Sequence, residues 1–212
     1  MSNTNVDGRD GRVSVAKKQV PACVQVTPWV KNGIYVGIDQ SMTGTGVVVF
    51  DEQANLLGEN LIETKAGTHP MDEVHRIVTL FAETHKFVTS LSNGRKVCAV
   101  MEDFAFSQTN QMAKLGGLGW HFRIMMSRTD WHFGVCGTQI LKKFVTGKGT
   151  SEKEQVMLNC YKRWTFDPSD NNIADAYVLG RISLTAYAKP IPGTLGVRKD
   201  DVELAAKITI YR

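Results

Sequence analysis

Two short stretches constrain this chain more than anything else in it: IYVGI at Ile34 to Ile38 and VCAVM at Val97 to Met101. Neither alternates apolar with polar residues, so neither suits a sheet with one wetted face; each needs cover on both sides. Strands of that kind lie at the centre of a sheet with helices above and below. Each run is followed at once by a carboxylate, Asp39 and Glu102. If the strands are parallel neighbours, both acids emerge at one edge, the carboxyl ends where open α/β sheets place their ligands.

The rest of the pattern supplies the layers. Gly44 to Phe50 and about Leu56 to Thr64 are β-rich runs set off by SMTG and DEQANLLG, so with Ile34 to Ile38 they read as a three-stranded meander. Val74, Ile77, Val78, Phe81 and Val88 recur at helical spacing between Met71 and Leu91, after Pro70 and before SNGR, which predicts an amphipathic helix. A helix-like segment from Gln111 to Ser127, a strand in WHFGVCG and a short basic helix in TQILKKFVTG follow. Ser151 with Glu154 forms a capping-box pattern ahead of a helix whose Met157, Cys160, Tyr161 and Trp164 share a face. Ile173 to Tyr187 is apolar nearly all round and predicts a buried helix. Residues 1–31 read as a polar, flexible arm that docks through VQVTPWV, residues 32–189 as one domain, and residues 190–212 as a tail whose KITIY is a candidate added strand. The sum is an α/β chain, a mixed five-stranded sheet flanked by helices, which fits the ribonuclease H-like architecture.

Composition narrows the class. A chain of 212 residues, 42% hydrophobic, can bury one core. Cys23, Cys98, Cys136 and Cys160 form no CxxC pair, which suits a reduced, cytoplasmic setting. No leader pattern opens the chain and no apolar run approaches the roughly 20 residues that cross a bilayer, so no membrane partner is expected. The formal net charge is +4, and the segment from Thr138 to Trp164 alone carries an equal surplus: Lys142, Lys143, Lys148, Lys153, Lys162 and Arg163 against Glu152 and Glu154. Lys162 and Arg163 read as a solvated helix face.

Two partly buried acids side by side repel and take up protons unless a cation neutralises them, and hard oxygen donors suit Mg²⁺ or Mn²⁺. A third acid, Asp175, stands in the first turn of the buried helix, with Asn172 three residues earlier. The plainer reading there is an Asn172 N-cap with Asp175 favoured by the helix dipole.

GIDQSMTGTGVVVFD, VMEDFAF, KLGGLG, LKKFVTGKGTSEKEQV and NNIADAYVLG stand in the order and spacing of the RuvC-like Holliday-junction resolvases, and the sequence most resembles the bacteriophage-encoded members. The resemblance covers roughly Gly33 to Ala188. It implies a crossover-junction endodeoxyribonuclease that holds two divalent ions, Mg²⁺ or Mn²⁺, through residues matching Asp39, Glu102 and Asp175. The family's fourth acid falls at Asn172, with Asp170 a little earlier, so two readings stay open: a weakened second ion site, or Asp170 serving through a shifted helix start. The resemblance further implies hydrolysis with two ions roughly 4 Å apart, DNA contacts through Lys142 and Lys153 with Lys143 and Lys148 extending the patch, and an aromatic wedge at Phe104 or Phe106. On that reading Asp39 ends its strand to bridge the ions, and Gly44 and Gly46 let the chain turn back beside a bulky ligand. The implied partners are branched DNA (four-way junctions, flaps or forks) and a second copy of the chain, with AKLGGLGWHFRIMM, whose glycines permit close backbone approach, as candidate dimer helix. The location is the cytoplasm, that of a host cell for a phage protein.

Two other classes compete. One is a structure-selective DNA-binding protein on the same fold that has lost efficient cleavage, motivated by Asn172. The other is an actin-like sugar kinase or ATPase, because GIDQSMTGTG before a hairpin also resembles a phosphate loop; that fold repeats the motif, and this chain has no second copy. TGKGT lacks the earlier glycine of a nucleotide-binding P-loop, Lys142 standing there instead, so no nucleotide cofactor is expected. The histidines show no metal-ligand spacing; His85 reads as a core histidine, and His121 and His132 have no assignment.

Overall fold

The computed structural model describes residues 28–103 and 112–211. Along the chain run β1 (Ile34–Asp39), β2 (Gly44–Phe50), β3 (Leu56–Glu63), α1 (Pro70–Ser92), β4 (Val97–Glu102), α2 (Met112–Met126), β5 (His132–Cys136), α3 (Thr138–Thr146), α4 (Lys153–Trp164), α5 (Asn171–Tyr187), α6 (Lys199–Ala205) and β6 (Thr209–Tyr211). The two all-apolar runs are parallel neighbours, Ile34 opposite Val97 through Ile38 opposite Met101, and β1 is buried along its whole length. The sheet order is β3-β2-β1-β4-β5-β6, with β2, β3 and β6 antiparallel to their inner neighbours. Six strands therefore replace the expected five; the sixth comes from the C-terminal region, where Ile210 is buried against β5.

Successive side chains of a strand point to opposite faces, and the two cores divide accordingly. Ile34, Val36 and Ile38 pack with Leu80, Phe81 and Val88 of α1 and Leu118 and Phe122 of α2. Tyr35, Val48, Phe50, Cys98 and Val100 pack under α3, α4, α5 and α6. The α1 face is only partly the one expected: Val74 and Val78 stay about half exposed, and Leu80 and Thr84 take their places in the core. No helix among the described residues is long and apolar enough to cross a membrane. Cys98, Cys136 and Cys160 are buried free thiols, each pushed up to about 12 chiefly by burial.

Helix α5 is buried almost throughout, as its composition requires, and lies with backbone directly on backbone. A Cβ at Gly37 would fall 1.9 Å from the Ala176 carbonyl oxygen and 2.2 Å from Gly180 N; one at Gly46 would fall 2.3 Å from the Asn172 oxygen. Gly46 thus makes room for α5 itself, not for a ligand as expected, and this crossing sets where Asp175 stands.

Three local expectations fail for identifiable reasons. The Ser151–Glu154 capping box does not form: α4 begins at Lys153 behind Glu152, whose side chain does not cap it. The Ser151 hydroxyl instead donates to the Lys148 carbonyl and lies 2.7 Å from Thr146 Oγ1, tying the α3–α4 turn. Tyr161 is exposed, whereas Val156 and Cys160 are the buried residues of α4. Arg163 is not on a solvated face, because a carboxylate far along the chain, Asp201, draws it inward at 2.6 Å.

Candidate active site

Three acids arrive at the carboxyl edge of β1 and β4 from three elements. Asp39 is the last residue of β1 and Glu102 the last of β4. Asp175 lies near the start of α5, five residues after its cap. Asp39 is 7% exposed, and burial first, then the charges of Glu102 and Asp175 and a hydrogen bond with Glu102, push its carboxyl well above the ordinary aspartate range; Lys153 opposes the rise. Asp175 is pushed up to about 7, again mainly by burial and then by Glu102, with Lys153 and Lys142 opposing and Asp170 adding. The three carboxyls form one electrostatic unit.

Glu102 is held from both sides. Thr138 Oγ1, at the head of α3, donates to its Oε1 at 2.5 Å. Gln40 Nε2 donates to its backbone oxygen at 3.1 Å, and Gln40 Oε1 is buried without a partner among the described residues. Next along the chain, Asp103 bonds Arg123 of α2 at 2.7 Å and its amide donates to Cys136. Thr138 and Gln40 were missed from sequence. Thr138 follows β5, which runs parallel to β4 with Cys136 opposite Glu102, and Gln40 follows β1, the parallel neighbour of β4 on the other side, so both land beside Glu102 only once the strand order is known.

At the head of α5 the cap is Asp170, not Asn172. The Asp170 Oδ1 accepts from Asn172 N at 2.7 Å. Asn172 sits inside the first turn, with its backbone oxygen against Gly46 and its Nδ2 3.3 Å from where a Gly44 Cβ would stand.

Among the described residues no group of three or more His, Cys, Asp or Glu side chains is arranged to hold a metal ion. The donor chemistry nonetheless fits a hard divalent cation: carboxylate oxygens whose mutual repulsion such an ion relieves. Lys142 is half-buried and acts on Asp175; Lys153 is exposed and acts on both Asp39 and Asp175. Lys143 and Lys148 are exposed on the same α3–α4 segment. Phe104 and Phe106 lie outside the described residues. His85 is half-buried and stacks on Trp131 at 5.2 Å, and His121 meets Phe81 edge-on.

No protein-family model matches the chain, and no curated protein matches it in sequence. Solved structures do. RuvC of Thermus thermophilus aligns with a TM-score of 0.56 and 19% identity over 72% of this chain and 92% of its own. The T. thermophilus RuvC in complex with a Holliday junction substrate aligns with a TM-score of 0.59 and 21% identity over the same shares. The chain has the ribonuclease H-like fold of these proteins.

Proposed function

We propose that the chain is a divalent-metal-dependent endonuclease that cuts branched DNA, four-way junctions above all. The observation that carries this reading is the convergence of Asp39, Glu102 and Asp175 at one sheet edge with Lys142 and Lys153 beside them. It is supported by the fold shared with a RuvC whose structure holds a Holliday junction. Asp39, Glu102 and Asp175 would hold Mg²⁺ or Mn²⁺, two ions per site, which supply an activated water and stabilise the leaving 3′ oxygen. Lys142 and Lys153 bind the backbone phosphate beside the acids, and Lys143 and Lys148 extend the contact, giving affinity that depends on salt more than on sequence. Thr138 and Gln40 keep Glu102 in one orientation.

A four-way junction is two-fold symmetric, so paired cuts call for two copies of the site. The face proposed for that pairing carries exposed Met71, Val74 and Val78 on α1 and Trp120 and Ile124 on α2. Beyond its own helix backbone, a Cβ at Gly116 of α2 would meet no atom of the described residues within 4 Å.

The test is incubation of labelled four-way junction and linear duplex in Mg²⁺, in Mn²⁺ and in chelator, beside Asp39→Asn and Glu102→Gln. Metal-dependent nicking of the junction, lost in both variants, is the expected result. One observation favours a second reading, a structure-selective binder with weakened cleavage: Asn172 brings no charge to the head of α5, and Asp170 is engaged as its cap. Tight junction binding without cutting in either metal would establish it.

A further inference from the structure

Away from the acids, three guanidinium groups and one carboxylate meet where α4, α5 and the segment before α6 pack together. Arg163 donates to Asp201 Oδ2 at 2.6 Å and Arg198 to Oδ1 at 2.8 Å, and Asp201 is wholly buried. Arg181, 4% exposed, donates to the Leu195 carbonyl. It lies over the Trp164 ring at 5.1 Å, and Arg163 lies over the same ring at 4.3 Å. Arg163 also donates to the Phe144 and Gly196 carbonyls and Arg198 to the Phe144 carbonyl, but among the described residues Asp201 is the one carboxylate bonded within this group of three cations, two of which are withdrawn from water. Burial above all, with a neighbouring guanidinium adding to it, holds both Arg163 and Arg181 below the usual arginine range.

Two N–H donors in this cluster are buried with no acceptor among the described residues, Arg181 Nε and Trp164 Nε1. Both side chains come together beside Gly196, whose φ is +69°. A Cβ there would stand 3.0 Å from Trp164 Nε1 and 3.3 Å from Arg181 Nη2. A buried excess of positive charge with unanswered donors costs free energy unless an acceptor bearing negative charge meets it. Water satisfies the donors but brings no charge.

We propose that this cluster binds one small inorganic anion, a halide or a tetrahedral oxyanion, held by Arg181 Nε and Trp164 Nε1, and that the anion fastens residues 190–211 to the helical layer. Arg198, about half exposed, marks the side from which it enters. The site is independent of the nuclease reading.

The full chain is melted at constant ionic strength while chloride, or inorganic phosphate, replaces a bulky organic sulfonate. A bound anion raises Tm by about 3–5 °C for each tenfold increase past half-saturation. Trp164→Phe keeps the ring and removes the donor, and shifts half-saturation upward about tenfold. Crystals grown in bromide give an anomalous peak within hydrogen-bond range of Trp164 Nε1. A melting temperature indifferent to the anion, the same unsaturating response in wild type and Trp164→Phe, or density at Trp164 Nε1 without anomalous signal would each overturn the proposal. The diffraction arm uses the unaltered protein and so decides the matter even if Trp164→Phe does not fold.

Discussion

Gly46→Ala adds a single methyl group where α5 crosses β2, and its consequences follow from three distances. The new carbon would stand 2.3 Å from the Asn172 carbonyl oxygen, 2.6 Å from its carbonyl carbon and 3.1 Å from Ile173 N. Carbon–oxygen contacts in proteins begin near 3.3 Å, so the first turn of α5 has to retreat by about 1 Å. All three atoms are backbone, and no side-chain rotation relieves the clash. Overpacking of this kind costs about 1–3 kcal/mol, which for a chain of this length lowers Tm by about 2–12 °C. Asp175 rides on the same turns, and a displacement of about 1 Å at a reacting centre costs on the order of 100-fold in rate. Differential scanning calorimetry and single-turnover junction cleavage read the two effects. Gly117→Ala is the control: its Cβ meets only Ile77 Cδ1 at 3.7 Å, and alanine is favoured over glycine inside a helix by about 1 kcal/mol. If Gly46→Ala melts and cleaves within twofold of wild type, the helix crossing does not place Asp175 and the reasoning fails.

Asp39 and Asp175 bind protons more tightly folded than unfolded, so in metal-free protein these two groups contribute stability that is full below the ordinary aspartate value of 3.8 and, for Asp175, is lost as pH rises to about 7. Urea unfolding in chelator across that window measures the slope; Asp175→Asn and added Mg²⁺ both remove the Asp175 contribution to it, and an Asp175→Asn slope identical to the wild type's contradicts the assignment. Lys142→Ala and Lys153→Ala each weaken junction binding uniformly and reduce the salt slope by about one, while Lys143→Ala lowers cleavage less than either; equal losses in all three would remove the special place of Lys142 and Lys153. Thr138→Val slows cleavage by about tenfold through a loosened Glu102 and Thr138→Ser restores it; a serine variant as slow as the valine one argues against a hydroxyl role. Trp120→Ser with Ile124→Ser leaves stability within about 0.5 kcal/mol because both side chains are exposed, yet yields monomers in sedimentation; an unchanged sedimentation coefficient refutes the dimer face.

The strand-ending carboxylates are legible because the pattern that places them is local. An uninterrupted apolar run needs cover on both faces, and an acid directly after it stands at the sheet edge whatever else the chain does. Helix α5 was legible for the same reason, its composition leaving no side to face water. The amphipathic face of α1 was read less well, since helical spacing identifies a stripe but not which part of it meets the sheet; Val74 and Val78 fall on the exposed part. The α5 cap also slipped, from Asn172 to Asp170, because several polar residues in a row each offer a side-chain oxygen and only packing chooses among them.

Long-range packing decided the rest. That Asp175 meets Asp39 depends on Gly37, Gly46 and Gly180 allowing helix backbone onto strand backbone, a contact between segments more than 120 residues apart in sequence. Arg163 turned inward because Asp201, 38 residues later, lies wholly buried beside it, and no window along α4 contains that information. Which residues must be buried and which acids must stand at an edge follows from the order of residues along the chain, since desolvation acts on each segment alone. Which buried charges share one neighbourhood follows from the packed fold, because Coulomb and hydrogen-bond partners are set by distance in space.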